Sequence, residues 1–468
     1  MQDQSTHIAT WEQDPGSGIM PDGGRMIYRP TPSGPPTLKI TISNWLLDQP
    51  AGAQPPVAGI YNTGTPEFRY WTAVEALTRG AIFWNTQLPD LQWQTGNTLP
   101  IILDAGTAFN ASYSRENLQF FMNTVDGRDI HTGESPDILC HEQGHAILDA
   151  IKPELFDVFD FEVSAFHEAF ADCSSILCAL QLPSVRTEIL KDTGNQLNQD
   201  SSLSRLAEQL GWAIRQHDPQ DTEADCFRNA FNPFVYNTPH NLPKTGPSTV
   251  LTAGAHSLCR VFTGAFFEGL AGLFSVQPTQ DEQSLLQTSA DIAQLLIAAV
   301  KKAPVTQSFF GQVAGSMVSE ANSKFSASSY SAVLQKAFTA RGIVPPGTNA
   351  GPAQPLAPGD TIEISLGEND LNLAAVPTVR LRTSKYGFEK KTVLVKTPHH
   401  KVAKLFLDDL LRTNCLKTEI APLHEKSMKQ APQRRIIYEP YTHELRREGN
   451  HIVLRRIRFN CGHIPKSI

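Results

Sequence analysis

Residues 137–145 read DILCHEQGH. Histidines stand at 141 and 145 and a glutamate at 142, in a stretch whose apolar residues fall at helical spacing. Positions four apart share one helix face, so His141 and His145 can aim imidazole nitrogens at one point. Glu142 points slightly off that face, where it can reach a bound water without ligating a metal. A catalytic zinc takes three protein ligands and keeps a fourth position for water. The bland alternative is a core helix with two satisfied histidines, so the reading turns on a third ligand.

HEAFAD occupies 167–172, within the helical stretch 161–182, and puts Glu168 at 23 residues beyond His145. Glu168 and Asp172 are again four apart. One carboxylate completes a two-histidine, one-glutamate set; the other can accept the remaining N–H of a metal-bound histidine and fix its tautomer. Two such helices are hard to explain as core, because charged side chains are rarely buried unpaired.

HEQGH followed by HEAFAD resembles the thermolysin family of zinc peptidases, the gluzincins. The resemblance implies a two-lobed catalytic fold, with an N-terminal mixed α/β lobe bearing an edge strand and a C-terminal helical lobe. It implies His141, His145 and Glu168 as zinc ligands, Glu142 as general base and Asp172 as the residue orienting a zinc histidine. Three further stretches extend it over about 68–343. NASY (110–113) offers Asn110 and Ala111 as the edge strand that pairs with substrate backbone. CFRNAFNP (226–233) offers Arg228 as the grip on a substrate carbonyl. AGAHSLCRVFTGAFF (253–267) offers His256 as the oxyanion stabiliser. Departures are visible too. The loop 154–164 has no tyrosine, and Leu251 stands where an aspartate commonly supports that histidine. The stretch CSSILCALQL after Asp172 has no acidic partner for a calcium site. One zinc and no calcium are therefore expected, with Asp137 capping its helix.

Outward from this centre, the fold class reads as α+β. Residues 1–60 are Pro/Gly-rich and read as an extended arm with a short strand at LKITI (38–42). Residues 61–160 form the N-terminal catalytic lobe: a helix over 68–88, a strand in LPIILDAG (99–106), a neighbouring strand in 107–114 and the HExxH helix over 136–153. Residues 161–343 form the helical lobe, with further helices over 202–216 and from 255 to 342. A linker, VPPGTNAGPAQPLAPGD (344–360), is too rich in Pro and Gly for a helix or central strand. Residues 361–468 read as a small α+β module: strands TIEISL, TVRLRT, KTVLVK, RRIIYEP and HIVLRRIRF, and a helix KVAKLFLDDLLRTN.

Charge divides the same way. The whole chain carries −7; residues 355–468 hold 20 basic and 12 acidic side chains, or +8, leaving −15 for the rest. The basic module suits an acidic partner. Arg434, Arg435, Arg446, Arg447, Arg455, Arg456 and Arg458 read as a solvated face, and nucleic acid is the less favoured partner. Seven cysteines, an odd number with no CxxC pair, read as small core residues and favour a reducing compartment. Cys415, Cys461 and His463 fit no zinc spacing of their own. The start has no basic-then-apolar signal, and no apolar run reaches the ~18–20 residues of a bilayer span. A cytoplasmic location without membrane association is expected, non-classical export being the alternative. No segment reads as an inhibitory propeptide. The expected activity is hydrolysis of peptide bonds in a peptide or protein substrate. The alternative is a catalytically weak zinc-binding scaffold that holds a protein partner.

Overall fold

Serine, then proline, starts the helix that organises the fold. The Ser135 side chain accepts from Ile138 N at 3.3 Å, Pro136 occupies the first turn, and the helix ends at Ile151 with Pro153 just beyond. In the computed structural model the described residues are 7–16, 24–35, 37–46, 54–306 and 308–344. In the C-terminal part they are 362–365, 392–395, 400–421, 440–448 and 451–462.

The chain begins with β1 (His7–Trp11), β2 (Met26–Pro30) and β3 (Lys39–Asn44), then α1 (Pro66–Gln87). Strands β4 (Thr98–Ile102), β5 (Ala111–Tyr113), β6 (Leu118–Phe120), β7 (Met122–Val125) and β8 (Arg128–His131) lead into α2 (Pro136–Ile151). There follow α3 (Phe161–Ala179), α4 (Pro183–Asp192), β9 (Arg205–Leu206), α5 (Glu208–Arg215) and β10 (Arg228–Asn229). Four long helices come next: α6 (Ala255–Ser275), α7 (Glu282–Lys302), α8 (Phe309–Lys324) and α9 (Tyr330–Ala340). The C-terminal part holds β11 (Ile362–Ser365), β12 (Thr392–Val395), α10 (His400–Arg412), β13 (Leu416–Ala421), β14 (His443–Glu448), β15 (His451–Arg456) and β16 (Phe459–Asn460). The fold is a mixture of helices and small sheets, as the sequence pattern predicts.

The first sheet runs β16-β5-β6-β4-β3. Strands β3, β4 and β6 are parallel, and β5 runs antiparallel to β6. A second five-stranded sheet, β11-β12-β15-β14-β13, belongs to the C-terminal module. Helix α2 packs on α1 and α3, and α3 on α6. Every residue of α3 is buried: its apolar residues pack into the core, and its polar ones, Glu168 and Asp172 among them, are buried as well. Among the described residues, α6 is the one helix long and apolar enough to cross a bilayer; 83% of that stretch is buried inside the protein, against α3 and α9.

Several expectations need correction. Residues 7–16 are no loose arm: Ile8 and Ala9 are buried, and β1 packs against α1. Asp14 accepts from the Ser135 hydroxyl at 2.5 Å and from Gln209 N at 2.7 Å, bracing the start of α2. The helix expected over 202–216 is confined to Glu208–Arg215, because residues 205–206 pair with β10 instead. The strand expected beside β4, in 107–114, is β5, but it lies one strand further out: β6 stands between them. Helix α4 and strands β13 and β14 add elements the sequence pattern missed. HIVLRRIRF is two strands, the second of which leaves the module's sheet and joins the first sheet beside β5. TVRLRT, most of RRIIYEP and nearly all of the 344–360 linker lie outside the described residues.

Glycine sets the distance between α2 and α3. A Cβ at Gly144 would stand 2.7 Å from Ala171 Cα and 2.8 Å from Ser174 Cβ, far inside contact distance. Gly144→Val should therefore force the helices apart, costing ~1–3 kcal/mol in urea unfolding and weakening metal binding at the site described below. A second test uses pH. Asp160 caps α3 by accepting from Glu162 N and Val163 N, and burial pushes its carboxyl up to about 7. An acid raised on folding stabilises the fold below its unfolded pKa of about 3.9, and that contribution is lost as pH rises through about 7. Asparagine caps equally well without ionising. Asp160→Asn should thus gain stability relative to the parent between pH 5 and 8, by ~1 kcal/mol or more in parallel urea titrations.

Candidate metal centre

The close approach of α2 and α3 brings their polar faces together. His141 Nε2 lies 3.4 Å from Glu168 Oε2, and His145 Nε2 lies 3.6 Å from Glu168 Oε1. All three residues are buried. His141 Nδ1 is 3.0 Å from Asp172 Oδ1, so Asp172 fixes the ring with Nε2 facing Glu168. Among the described residues none partners His145 Nδ1.

Arg228 is carried by β10, which the β9 pairing holds against the site. Its Nη2 donates to Asp172 Oδ1 at 2.7 Å, and its Nε also contacts that carboxylate. Nη1 is buried without a partner, leaving a donor to spare. His256 stands in the first turn of α6, with Nε2 3.3 Å from Glu168 Oε2. Leu251, the residue five before it, is apolar, and no carboxylate other than Glu168 makes an ion pair with His256 among the described residues. The carboxyl of Glu142 is fully buried without a conventional hydrogen bond, and burial pushes it up to about 8. Burial would raise Glu168 as well, but the surrounding histidines hold it well below the ordinary carboxylate range. For His141, burial is outweighed by hydrogen bonds to Asp172 and Glu168, which carry it up to about 9; His145, held chiefly by burial, falls to about 3.

The sequence reading missed one participant. Cys461 follows β16, and its Sγ lies 3.2 Å from His141 Nε2, 3.1 Å from His145 Nε2 and 3.8 Å from Glu168 Oε2. His141, His145, Glu168 and Cys461 thus form one buried cluster, with ligand atoms all within 4.8 Å of one another, that could hold a metal ion. Cys461 belongs to this centre, not to a second metal with Cys415, and His463 lies outside the described residues. Its neighbours anchor it. Phe459 stacks on His145 at 4.7 Å and on His167 at 4.2 Å. The Arg456 guanidinium covers the ring at 4.2 Å and donates to Phe156 O and Ser164 Oγ. Arg456 is therefore an interior residue and not part of a solvated basic face. No short-range sequence signal announces Cys461, although a lone cysteine in RFNCGH beside a two-histidine site is a pattern worth testing.

Asn110 and Ala111 also come to the site. Asn110 is buried, and β5 begins at Ala111 as the strand nearest α2. The outer edge of β5 is covered by β16: Phe459 pairs with Tyr113, Asn460 with Ser112, and Cys461 N donates to Ala111 O at 3.0 Å. Beside this strand a pocket of about 210 Å³ is lined by Arg228, His256, Ser257, Arg260 and Gly462.

No protein-family model matches the chain, and no curated protein sequence matches it. The geometry thus carries the functional argument alone. Asp172→Asn should weaken metal binding ~10–100-fold, measured by chelator competition, because an uncharged amide is a weaker acceptor for His141 Nδ1–H and no longer pairs with Arg228.

Proposed function

We propose that the chain is a zinc-dependent endopeptidase of thermolysin-like architecture, with His141, His145 and Glu168 holding zinc and Glu142 as general base. The donor spacing carries this reading. Ligand atoms ~2.0–2.3 Å from a tetrahedral zinc lie roughly 3.3–3.6 Å apart; the contacts of Glu168 and Cys461 with the two histidines and with each other, at 3.1–3.9 Å, lie near that value, and all the ligand atoms fall within 4.8 Å of one another. Imidazole, carboxylate and thiolate are all zinc donors, and the buried Glu142, which faces the Cys461 thiol and makes no conventional hydrogen bond, fits a base waiting for a water. An antiparallel strand beside the metal helix, β5, and an arginine with a spare buried donor, Arg228, add to the family likeness.

When bound, zinc supplies an acidified water and polarises the scissile carbonyl. Glu142 accepts the water's proton as the carbonyl carbon is attacked and returns it to the leaving nitrogen. Asp172 keeps His141 in one tautomer, and the ion pair with Asp172 keeps Arg228 extended, with Nη1 free for a substrate carbonyl. His256 donates to the developing oxyanion; loss of such a donor typically costs ~10²–10³ in kcat. Ala111 and its neighbours on β5 would offer backbone groups to an extended peptide once β16 leaves that edge.

A second reading has one observation in its favour. Cys461 supplies a fourth donor, and four protein ligands are the mark of a closed structural zinc. That would make the chain a zinc-binding scaffold with weak turnover. The two readings part in a Cys461→Ala background, assayed with a mixed peptide library and metal analysis. An active peptidase cleaves peptides there, and adding Glu142→Gln lowers kcat by ~10²–10⁴ while zinc stays at one per chain. A scaffold loses zinc in the Cys461→Ala protein and cleaves nothing in either.

A further inference from the structure

We infer that the C-terminal strand is an internal plug of the cleft: β16 takes the place of a substrate strand on β5, and the Cys461 thiolate is the fourth ligand of the metal. The inference rests on the metal centre proposed above and adds its regulation.

Three independent features point to a built fit. The backbone pairs as a substrate would. An extended peptide binds a protein by adding a strand to an exposed sheet edge, and β16 does so in antiparallel register with Tyr113 and Ser112, continued by Cys461 N to Ala111 O. The tip is shaped for close approach. A Cβ at Gly462 would stand 2.1 Å from Phe109 O and 2.5 Å from Asn110 Cα, so only glycine lets the chain lie this deep. The thiol is centred on the donors. It is within 3.2 Å of both histidine nitrogens and 4% exposed as a residue, where a water or substrate carbonyl would otherwise stand. Ligation releases the thiol proton to solvent, forms the sulfur–metal bond and leaves no fourth position for water.

The plug is separable from the core. Phe459 and Arg456 fasten the strand to His167, Phe156 and Ser164, whereas Cys461 and Gly462 reach beyond that anchor into the cleft. Changes at the two tip residues therefore free the position that the thiol holds beside the histidines without removing the aromatic anchor. A ligand that needs the open form binds with its affinity reduced by the open fraction, so a plug open ~1% of the time weakens it ~100-fold.

The test loads the full chain, Cys461→Ala and Gly462→Val with cobalt(II), and reads three signals. These are the near-ultraviolet thiolate-to-cobalt charge-transfer absorption, the affinity for a peptidyl hydroxamate and peptide cleavage. The plug requires the absorption in the unmodified chain and its loss in Cys461→Ala with cobalt retained. It also requires hydroxamate binding about 100-fold tighter in both variants. Gly462→Val keeps the thiol, so it distinguishes displacement of the strand from loss of a ligand and stands in if Cys461→Ala misfolds. Cobalt binding without the thiolate absorption, or equal hydroxamate affinity in all three proteins, overturns the plug and leaves the metal centre intact. No cobalt in any of them overturns both. Tighter hydroxamate binding in the variants without peptide cleavage upholds the plug and overturns the peptidase reading instead.

Discussion

Two helices packed without a side chain between them hold this molecule's chemistry. At Gly144 the backbone of α2 touches that of α3 at Ala171, and no larger residue fits. Within one turn of this contact stand His141, His145, Glu168 and Asp172, so the same approach that excludes a methyl group brings the donors to within 3.4–3.6 Å. The cost of burying so many polar groups is met by mutual pairing: Asp172 with His141 and Arg228, and Glu168 with three histidines. A metal ion would complete that neutralisation.

The supports of the two helices come from distant parts of the chain. Asp14 braces the Ser135 cap of α2, Gln143 donates to Leu77 O on α1, and Asp160 caps α3. Gly80 makes room for Gln143, since a Cβ there would meet its Oε1 at 2.1 Å. The N-terminal segment, read as a loose arm, is in fact part of this frame. A polar residue such as Asp14 gives no local hint that its partner is a helix cap 121 positions away.

The C-terminal module changes what the site is. Its sheet lies apart in topology, yet its last strand, β16, is the edge of the first sheet. The basic residues that suggested an acidic partner include Arg456, whose guanidinium is spent on Phe459 and on two interior oxygens. The last strand of this module pairs with the chain's own β5.

Local pattern determined a good deal. The Ser-Pro start of α2, the four-residue spacings of His141/His145 and Glu168/Asp172, and the long apolar helices after 255 are short-range signals, and each element formed where its periodicity placed it. Arg228 and His256 were legible only through resemblance, because nothing within their own segments fixes their direction. Tertiary structure alone decided the rest. Cys461 lies 316 residues from His145, and strand pairing at that separation follows from which edge is free, not from the residues alone. HIVLRRIRF reads as one continuous strand because alternation is blind to which sheet a residue joins. Its break after Arg456, and the thiol it delivers to the metal ligands, come from the open edge of β5 and the bare backbone of Gly462.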